Sequence, residues 1–167
     1  MEINIIAAVA KNRAIGYNND MVYFIKEDLR RFKQLTTGHT VIMGRRTFHS
    51  LPKAAFPNRR NIVLSRTETN FPGCDVYTSL SEALKHIFDN EKAFIIGGAS
   101  LYKEGLAVAD RLYLTEIEGI PPHADVFFPE YNEGTWEVET RQERAETDDT
   151  PAYAYVDYVR SDRTKKK

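Results

Sequence analysis

The chain is poor in cysteine: Cys74 stands alone, so no internal disulfide can form, and no spacing of its metal-ligating residue types suggests a metal site. A lone thiol of this kind reads as core filler. Long apolar runs are also missing. The longest, Ile5 to Ala10, is far too short to cross a bilayer. Nothing at the amino terminus has the charged-then-apolar pattern of a signal peptide, so the expected location is cytoplasmic. Neither sign of charge dominates, with 23 Lys and Arg against 24 Asp and Glu and a formal net charge of -1. That balance gives no general reason to expect nucleic acid or a membrane as partner. A complete G-x-G-x-x-G fingerprint is absent, which argues against a classical dinucleotide fold. There is no internal repeat, low-complexity block or interdomain linker.

What is present fits one globular domain: 167 residues, 42% hydrophobic and 28% charged. Short β-rich runs alternate with helical patterns, which predicts an α/β domain with a largely parallel sheet covered by helices. The expected strands are Ile3–Ala10, Thr40–Met43, Asn61–Ser65, Asp75–Thr78, Ala93–Ile96, Arg111–Glu118, Trp136–Glu143 and Tyr153–Arg160. Several are apolar throughout, as strands buried on both faces should be. Helices are expected at Lys26–Thr36, Arg46–Ser50, Leu80–Asn90 and Ser100–Ala107. The third opens on a capping box, Ser79-Leu-Ser-Glu82, followed by the stripe Leu80, Ala83, Leu84, Ile87 and Phe88. The polar segment around Thr147–Pro151 predicts that the last two strands form an antiparallel hairpin at a sheet edge. The domain is expected to span residues 1–160, with 161–167 as a frayed tail.

Four features carry chemistry. The loop "NRAIGYNND" (Asn12–Asp20) is longer than the usual α/β connection of about two to six residues, which favours a lid or binding loop. "VIMGRRT" (Val41–Thr47) is a buried strand ending in Gly44 and turning into a helix led by two arginines, a setting that favours an anion. Between Gly38 and Thr67 there is no acid, while Arg45, Arg46, Lys53, Arg59, Arg60 and Arg66 make that span +6. "FIIGGASLY" (Phe94–Tyr102) places backbone amides at a strand's carboxyl end, where open α/β sheets bind phosphates, although such glycines also serve close packing. The fourth is Asp28. In "YFIKEDLRRFKQLT" the residues Ile25, Leu29, Phe32 and Leu35 form an apolar stripe, and Asp28 falls inside it beside Phe32. An acid in the first helical turn complements the helix dipole, but Glu27 fills that role from the solvent side. Burying Asp28 costs desolvation unless a partner compensates it, and a ligand with amidine-like N–H donors suits that position.

Taken in order, "INIIAAVAKNRAIG", "DLRRFKQLT", "VIMGRRTF", "PNRRNIVLSR", "FIIGGASLY", "LYLTEI" and "ADVFFP" resemble dihydrofolate reductase over nearly the whole chain. The resemblance implies a single domain with a mixed, mostly parallel eight-stranded sheet flanked by helices. It implies a monomer that binds NADPH and reduces 7,8-dihydrofolate to tetrahydrofolate. By resemblance, Asp28 pairs with N3–H and the 2-amino group of the pterin, and Thr115 steadies its carboxylate. Ile6, Leu29, Phe32, Leu51 and Ile96 match the apolar walls, Arg59 the residue receiving the glutamate α-carboxylate, and Lys53 lies near that tail. Ala8, Ile15 and Gly16 match nicotinamide contacts. Gly97, Gly98, Ala99, Ser100, Leu101 and Tyr102 match the pyrophosphate turn, while Gly44, Arg45, Arg46, Thr47, Ser65 and Arg66 match the turn and basic region toward the adenosine end.

Two departures from the family pattern bear on rate more than on reaction type. The usual Pro-Trp pair of the lid is Val22-Tyr23 here, followed by Phe24, and Tyr23 is assigned the lid-side catalytic position through its hydroxyl. Val126 stands where a hydroxyl residue is frequent. Two rivals compete with this reading. A pyrimidine reductase of riboflavin synthesis shares the fold but does not require the acid in "KEDLRRF". A non-catalytic module binding nucleotides or polyanions through the +6 span is indifferent to Asp28.

Overall fold

The fold follows from strands that are covered on both faces. In the computed structural model, which describes residues 1–132 and 134–161, the hydrophobic runs become β1 (Glu2–Ala10), β4 (Thr40–Gly44), β5 (Arg60–Leu64), β6 (Cys74–Tyr77), β7 (Lys92–Ile95) and β8 (Arg111–Ile117). They join β10 (Trp136–Arg144) and β11 (Tyr153–Arg160) in one eight-stranded sheet, ordered β10-β11-β8-β1-β7-β4-β5-β6. Pairing is parallel from β8 through β6 and antiparallel at β8–β11 and β11–β10. The predicted hairpin therefore sits at one edge. Its outer strand exposes all of Glu137–Arg144, a run rich in charge that discourages pairing with another sheet.

Helices α1 (Lys26–Thr36) and α2 (Arg45–Ser50) lie on one face, where Phe32, Leu35 and Phe48 pack with Val41, Met43, Val63 and Phe94. α3 (Leu80–Leu84) and α4 (Ala99–Gly105) lie on the other, over Ile3, Ile5, Ile42, Ile62, Ile95, Leu112 and Leu114. α1 stops at Thr37 because Gly38 follows in the left-handed region (φ +84°), with its amide donating to Asn58 O at 2.8 Å.

Three expectations need correction. The helix predicted over Leu80–Asn90 ends at Leu84, because the next amides, of Lys85, His86 and Ile87, bond to carbonyls three residues back. Phe88 is thereby turned out into solvent, with the Arg60 guanidinium 6.0 Å from its ring. The segment predicted as a loop instead forms β2 (Ala14–Tyr17) and β3 (Asp20–Met21), an antiparallel hairpin turning on Asn18 and Asn19, both at positive φ. β2 also pairs with β9 (Val126–Phe127), making a second, three-stranded sheet. Of the predicted tail, Ser161 is tied down by hydrogen bonds to Thr135 O and Gly134 O. Residues 162–167 lie outside the described residues.

The amino ends of β4 to β7 are held by charge rather than by apolar contact. Arg60 donates to Asp75 at 2.8 Å, to Glu91 at 3.1 Å and to His86 O at 3.0 Å, and Glu91 also accepts from Thr40 and the Phe88 amide. Burial opposes ionisation of Glu91, but these donors and the Arg60 charge outweigh it and hold the carboxyl below its ordinary value. A depressed carboxyl stabilises the fold above its unfolded value of about 4.3, and that contribution is lost as pH falls through the folded value. Glu91→Gln is therefore expected to destabilise the protein by roughly 1–3 kcal/mol at pH 7. In urea titrations the difference from wild type should shrink below about pH 4. A pH-independent difference would contradict this role.

Candidate active site

α1 crosses the sheet at the carboxyl-terminal half of β8, beside β1, and this crossing is the candidate site. Asp28 enters it from the first turn of α1. The N-cap residue, Ile25, makes no side-chain cap, and Asp28 does not fold back to supply one. Its carboxylate instead accepts a hydrogen bond of 2.5 Å from Thr115 Oγ1 on β8, a residue 87 positions away and itself buried. Burial raises the carboxyl above its ordinary value, against the opposing effects of the Thr115 hydrogen bond and the Arg31 charge. The predicted partnership of Asp28 and Thr115 is thus present, and it is not a helix cap.

Four of the five predicted apolar walls share one cluster. Ile6, Phe32, Leu51 and Ile96 are partly buried and pack on the cluster of Val41, Met43, Phe48 and Phe94, while Leu29 is half-buried one turn before Phe32. Ala8 is the register partner of Thr115. On the α1 stripe Ile25 is buried, whereas Leu29, Phe32 and Leu35 remain only partly covered by protein.

Tyr23 is half-buried among Ile25, Ile117, Tyr153 and Tyr155, and its hydroxyl packs against the Gly119 backbone, where an added Cβ would stand 2.5 Å from it. Arg59 spans from Thr37, whose Oγ1 it meets at 3.3 Å, to the Phe56 ring, 5.1 Å away. Its Nε is buried and has no hydrogen-bond partner among the described residues, and burial lowers the guanidinium below its ordinary value. Arg59 borders a surface hollow of about 490 Å³ shared with Gly38, His39 and Lys92. Lys53 is exposed.

Two glycine turns meet. The Gly44 amide donates to Gly97 O at 2.9 Å, Gly97 has φ +125°, and the Gly97–Gly98 peptide is cis. A Cβ on Gly98 would find only Thr47 Oγ1, at 3.9 Å, and one on Gly44 only Gly97 O, also at 3.9 Å, so both backbones face open space. Neither N-cap of α2 or α4, Gly44 and Gly98, carries a side-chain cap, so their first amides lack that partner. Ala99 and Ser100 begin α4, Leu101 is buried behind them, and Tyr102 is buried with its hydroxyl donating to Ile6 O at 2.9 Å.

The basic residues do not form one patch. Arg46 and Arg66 are exposed, Arg45 meets Glu68 at 3.4 Å, and Ser65 is buried with its hydroxyl accepting the Glu68 amide. Arg60 belongs to the opposite end of β5 and is satisfied by Asp75 and Glu91. The sequence total of +6 is therefore divided between the two ends of the sheet.

Ile15 and Gly16 lie on β2, beside β1. A residue that sequence reasoning missed holds this hairpin down: Asp125 accepts the Asn18 amide at 3.1 Å through its carboxylate, and its own amide donates to Gly16 O at 3.0 Å. Its signal was its place in "ADVFFP". Val126 next to it offers Gly16 a methyl surface, its Cβ lying 3.3 Å from where a Gly16 Cβ would be.

The arrangement combines apolar side chains, a part-buried carboxylate, a guanidinium with an unpartnered Nε among the described residues, and two glycine turns whose helices lack side-chain caps. Such a site suits a planar ring bearing N–H donors, an anionic tail and a phosphate-bearing cofactor. Comparison with known proteins agrees with this chemistry. The family model described as dihydrofolate reductase matches residues 2–160. A dihydrofolate reductase of Bacillus subtilis (strain 168) is 38% identical over 165 residues, covering 98% of this chain and 97% of that protein. One from Neisseria gonorrhoeae is 40% identical over 160 residues, covering 95% and 98%. The structure of dihydrofolate reductase from Enterococcus faecalis, complexed with NADP(H) and RAB-propyl, superposes with a TM-score of 0.89 at 29% identity, covering 96% of this chain and 97% of that one. With its sheet order, its part-buried Asp28–Thr115 pair and its paired glycine turns on a match of this extent, the chain belongs to the dihydrofolate reductase family.

Proposed function

We propose that Asp28 is the residue on which the activity of this chain turns, by gripping the pterin ring of its substrate. The chain is an NADPH-dependent dihydrofolate reductase, converting 7,8-dihydrofolate to 5,6,7,8-tetrahydrofolate. The single observation that carries the assignment to Asp28 is its carboxylate held, among the described residues, by Thr115 alone, with no cap to serve. An ionised carboxylate there accepts from N3–H and the 2-amino group together, a two-point contact that fixes the ring's orientation. Ile6, Leu29, Phe32, Leu51 and Ile96 form the slot around the ring and exclude water from it. The unpartnered Nε of Arg59 is suited to the glutamate α-carboxylate, with Lys53 nearby as a second cation. A riboflavin-pathway reductase or a polyanion-binding module would give Asp28 no such task.

NADPH, when bound, supplies the hydride that the pterin C6 receives while N5 gains a proton. The glycine turns fit such a cofactor, since the open space in front of Gly44 and Gly98 admits a pyrophosphate to their amides. Thr47 and the first turn of α4, Ala99 to Tyr102, frame that cradle, while Ala8, Ile15 and Gly16 line the nicotinamide side. Arg45, Arg46, Arg66 and Ser65 lie toward the adenosine end, where exposed cations favour the extra 2′-phosphate. The β2–β3 hairpin, latched by Asp125, covers the rings and shields them from bulk water. Asp28 binds and polarises the ring, and a water near the lid delivers the N5 proton. The Tyr23 hydroxyl, packed on Gly119, is available to order that water. A cytoplasmic monomer, with residues 1–160 as its one domain, completes this reading.

Two measurements test the assignment. NADPH oxidation with dihydrofolate should be rapid in the wild type, and Asp28→Asn should lose about a hundredfold or more in kcat/KM at pH 7. A carboxyl raised by burial costs the folded state free energy once pH rises from its unfolded toward its folded value, so the same variant should be no less stable in urea. Full activity in Asp28→Asn would overturn its role. For the tail, Arg59→Gln should raise KM for dihydrofolate about tenfold. It should leave turnover of a dihydropterin lacking the aminobenzoyl-glutamate unchanged; equal losses on both substrates would contradict the Arg59 assignment.

A further inference from the structure

Arg31 lies one helical turn beyond Asp28, on the side of α1 that faces β8 and β11. Its guanidinium meets Asp157 Oδ1 at 2.6 Å and lies 4.4 Å from the centroid of the Tyr155 ring and 6.0 Å from that of Tyr113. The other Asp157 oxygen accepts from Thr140 Oγ1 at 3.0 Å, so the carboxylate is held from both sides. The side chains of Arg31 and Asp157 are 19% and 18% exposed, which separates this pair from the solvated surface pairs of the molecule. Tyr155 is the register partner of Thr115, the donor to Asp28, and Asp157 that of Tyr113. The strand positions that hold the cation are therefore the one directly opposite the holder of the active-site acid and the pair two residues along.

We propose that Arg31 is a positioning residue of the pterin site: clamped to Asp157 and to the face of Tyr155, it presents a fixed cation to Asp28 and keeps that carboxyl ionised for the ring. The inference rests on the reading of Asp28 as the pterin's partner. Most groups that surround Asp28 do not supply charge at neutral pH. Thr115 on β8 is uncharged, and burial holds the hydroxyls of Tyr102 on α4, Tyr113 on β8 and Tyr155 on β11 protonated beyond their ordinary range. Tyr153, the neighbour of Tyr155 on β11, carries a further phenol. Glu27 is exposed and paired with Arg30 at 2.5 Å. Arg144 approaches Tyr155 at 5.5 Å but from the exposed strand β10. Arg31 and Asp157 are thus the charged pair built into this side of the site. A cation three residues along a helix from an acid favours the ionised form, and Asp157 tempers it.

The two members of the pair must then act on Asp28 with opposite signs. Removing the cation disfavours the carboxylate, so Arg31→Gln should raise the titration midpoint of Asp28 by roughly one pH unit. Asp157→Asn frees the same cation and should lower it by a smaller amount, and Arg31→Lys, which keeps the charge, should restore most of the wild-type midpoint. The measurement is the 13C NMR titration of the Asp28 carboxyl in the ligand-free full chain, assigned through Asp28→Asn. It is paired with the pH dependence of binding of a tail-less dihydropterin, read from tryptophan fluorescence. Opposite shifts in the two variants, followed by the acid limb of binding, support the proposal. Midpoints that stay put, or move together as a structural lesion would make them, overturn it. Opposite carboxyl shifts that ring binding does not follow would place the failure in the pterin reading and break the link from Arg31 to substrate.

Discussion

Asp28 is a carboxylate withdrawn from water and given, among the described residues, a single hydrogen-bond donor, the Thr115 hydroxyl. Much of the active-site half of the molecule is arranged around that bond. α1 must lie against β8 for the bond to form, which requires its apolar stripe to be shared between the sheet and the site. The stripe is accordingly half-buried rather than sealed, with Leu29, Phe32 and Leu35 all partly exposed. A helix with a purely structural role would bury them. The cost of holding the acid there is borne by the rest of the core, and it is recovered when a ring with paired N–H donors arrives.

The opposite wall answers a different requirement. On the proposed reading a pyrophosphate needs backbone amides without side chains in front of them; the sheet ends two neighbouring parallel strands, β4 and β7, in glycine turns joined by the Gly44–Gly97 hydrogen bond. The strand connectivity thus brings residues more than fifty positions apart to one crevice at the carboxyl ends of the strands. The amino ends carry the complementary task of stability, through the Arg60–Glu91–Asp75 network. The two glycine turns and this network occupy opposite ends of the same strands, while Arg59, next to Arg60, stands at the anchored end.

Much of this was legible in the chain itself. All eight strands of the main sheet are marked by short apolar or alternating runs, and α1 begins and ends where its stripe and Gly38 indicate. Asp28 was conspicuous because its direction on the helix contradicts its chemistry. What escaped were features whose meaning depends on distant partners. β9 is two residues long and exists only because β2 comes to pair with it. Asp125 becomes a latch only through Asn18, 107 positions earlier, and Arg31 finds Asp157 across 126. The helix after Ser79 had a sound start, since Ser79 caps the Glu82 amide. Its end is set by a switch to hydrogen bonds three residues back, which periodicity does not record, and the +6 count did not reveal that Arg60 is already neutralised at the far end of its strand.

The central claim is that the missing partner of Asp28 is the substrate ring. It is tested most directly by comparing the 13C NMR titration of the Asp28 carboxyl with and without a bound dihydropterin. If the ring supplies the absent donors, binding should stabilise the carboxylate and drive its midpoint down by more than one pH unit. A midpoint that is unchanged or raised by the bound ring would contradict the account.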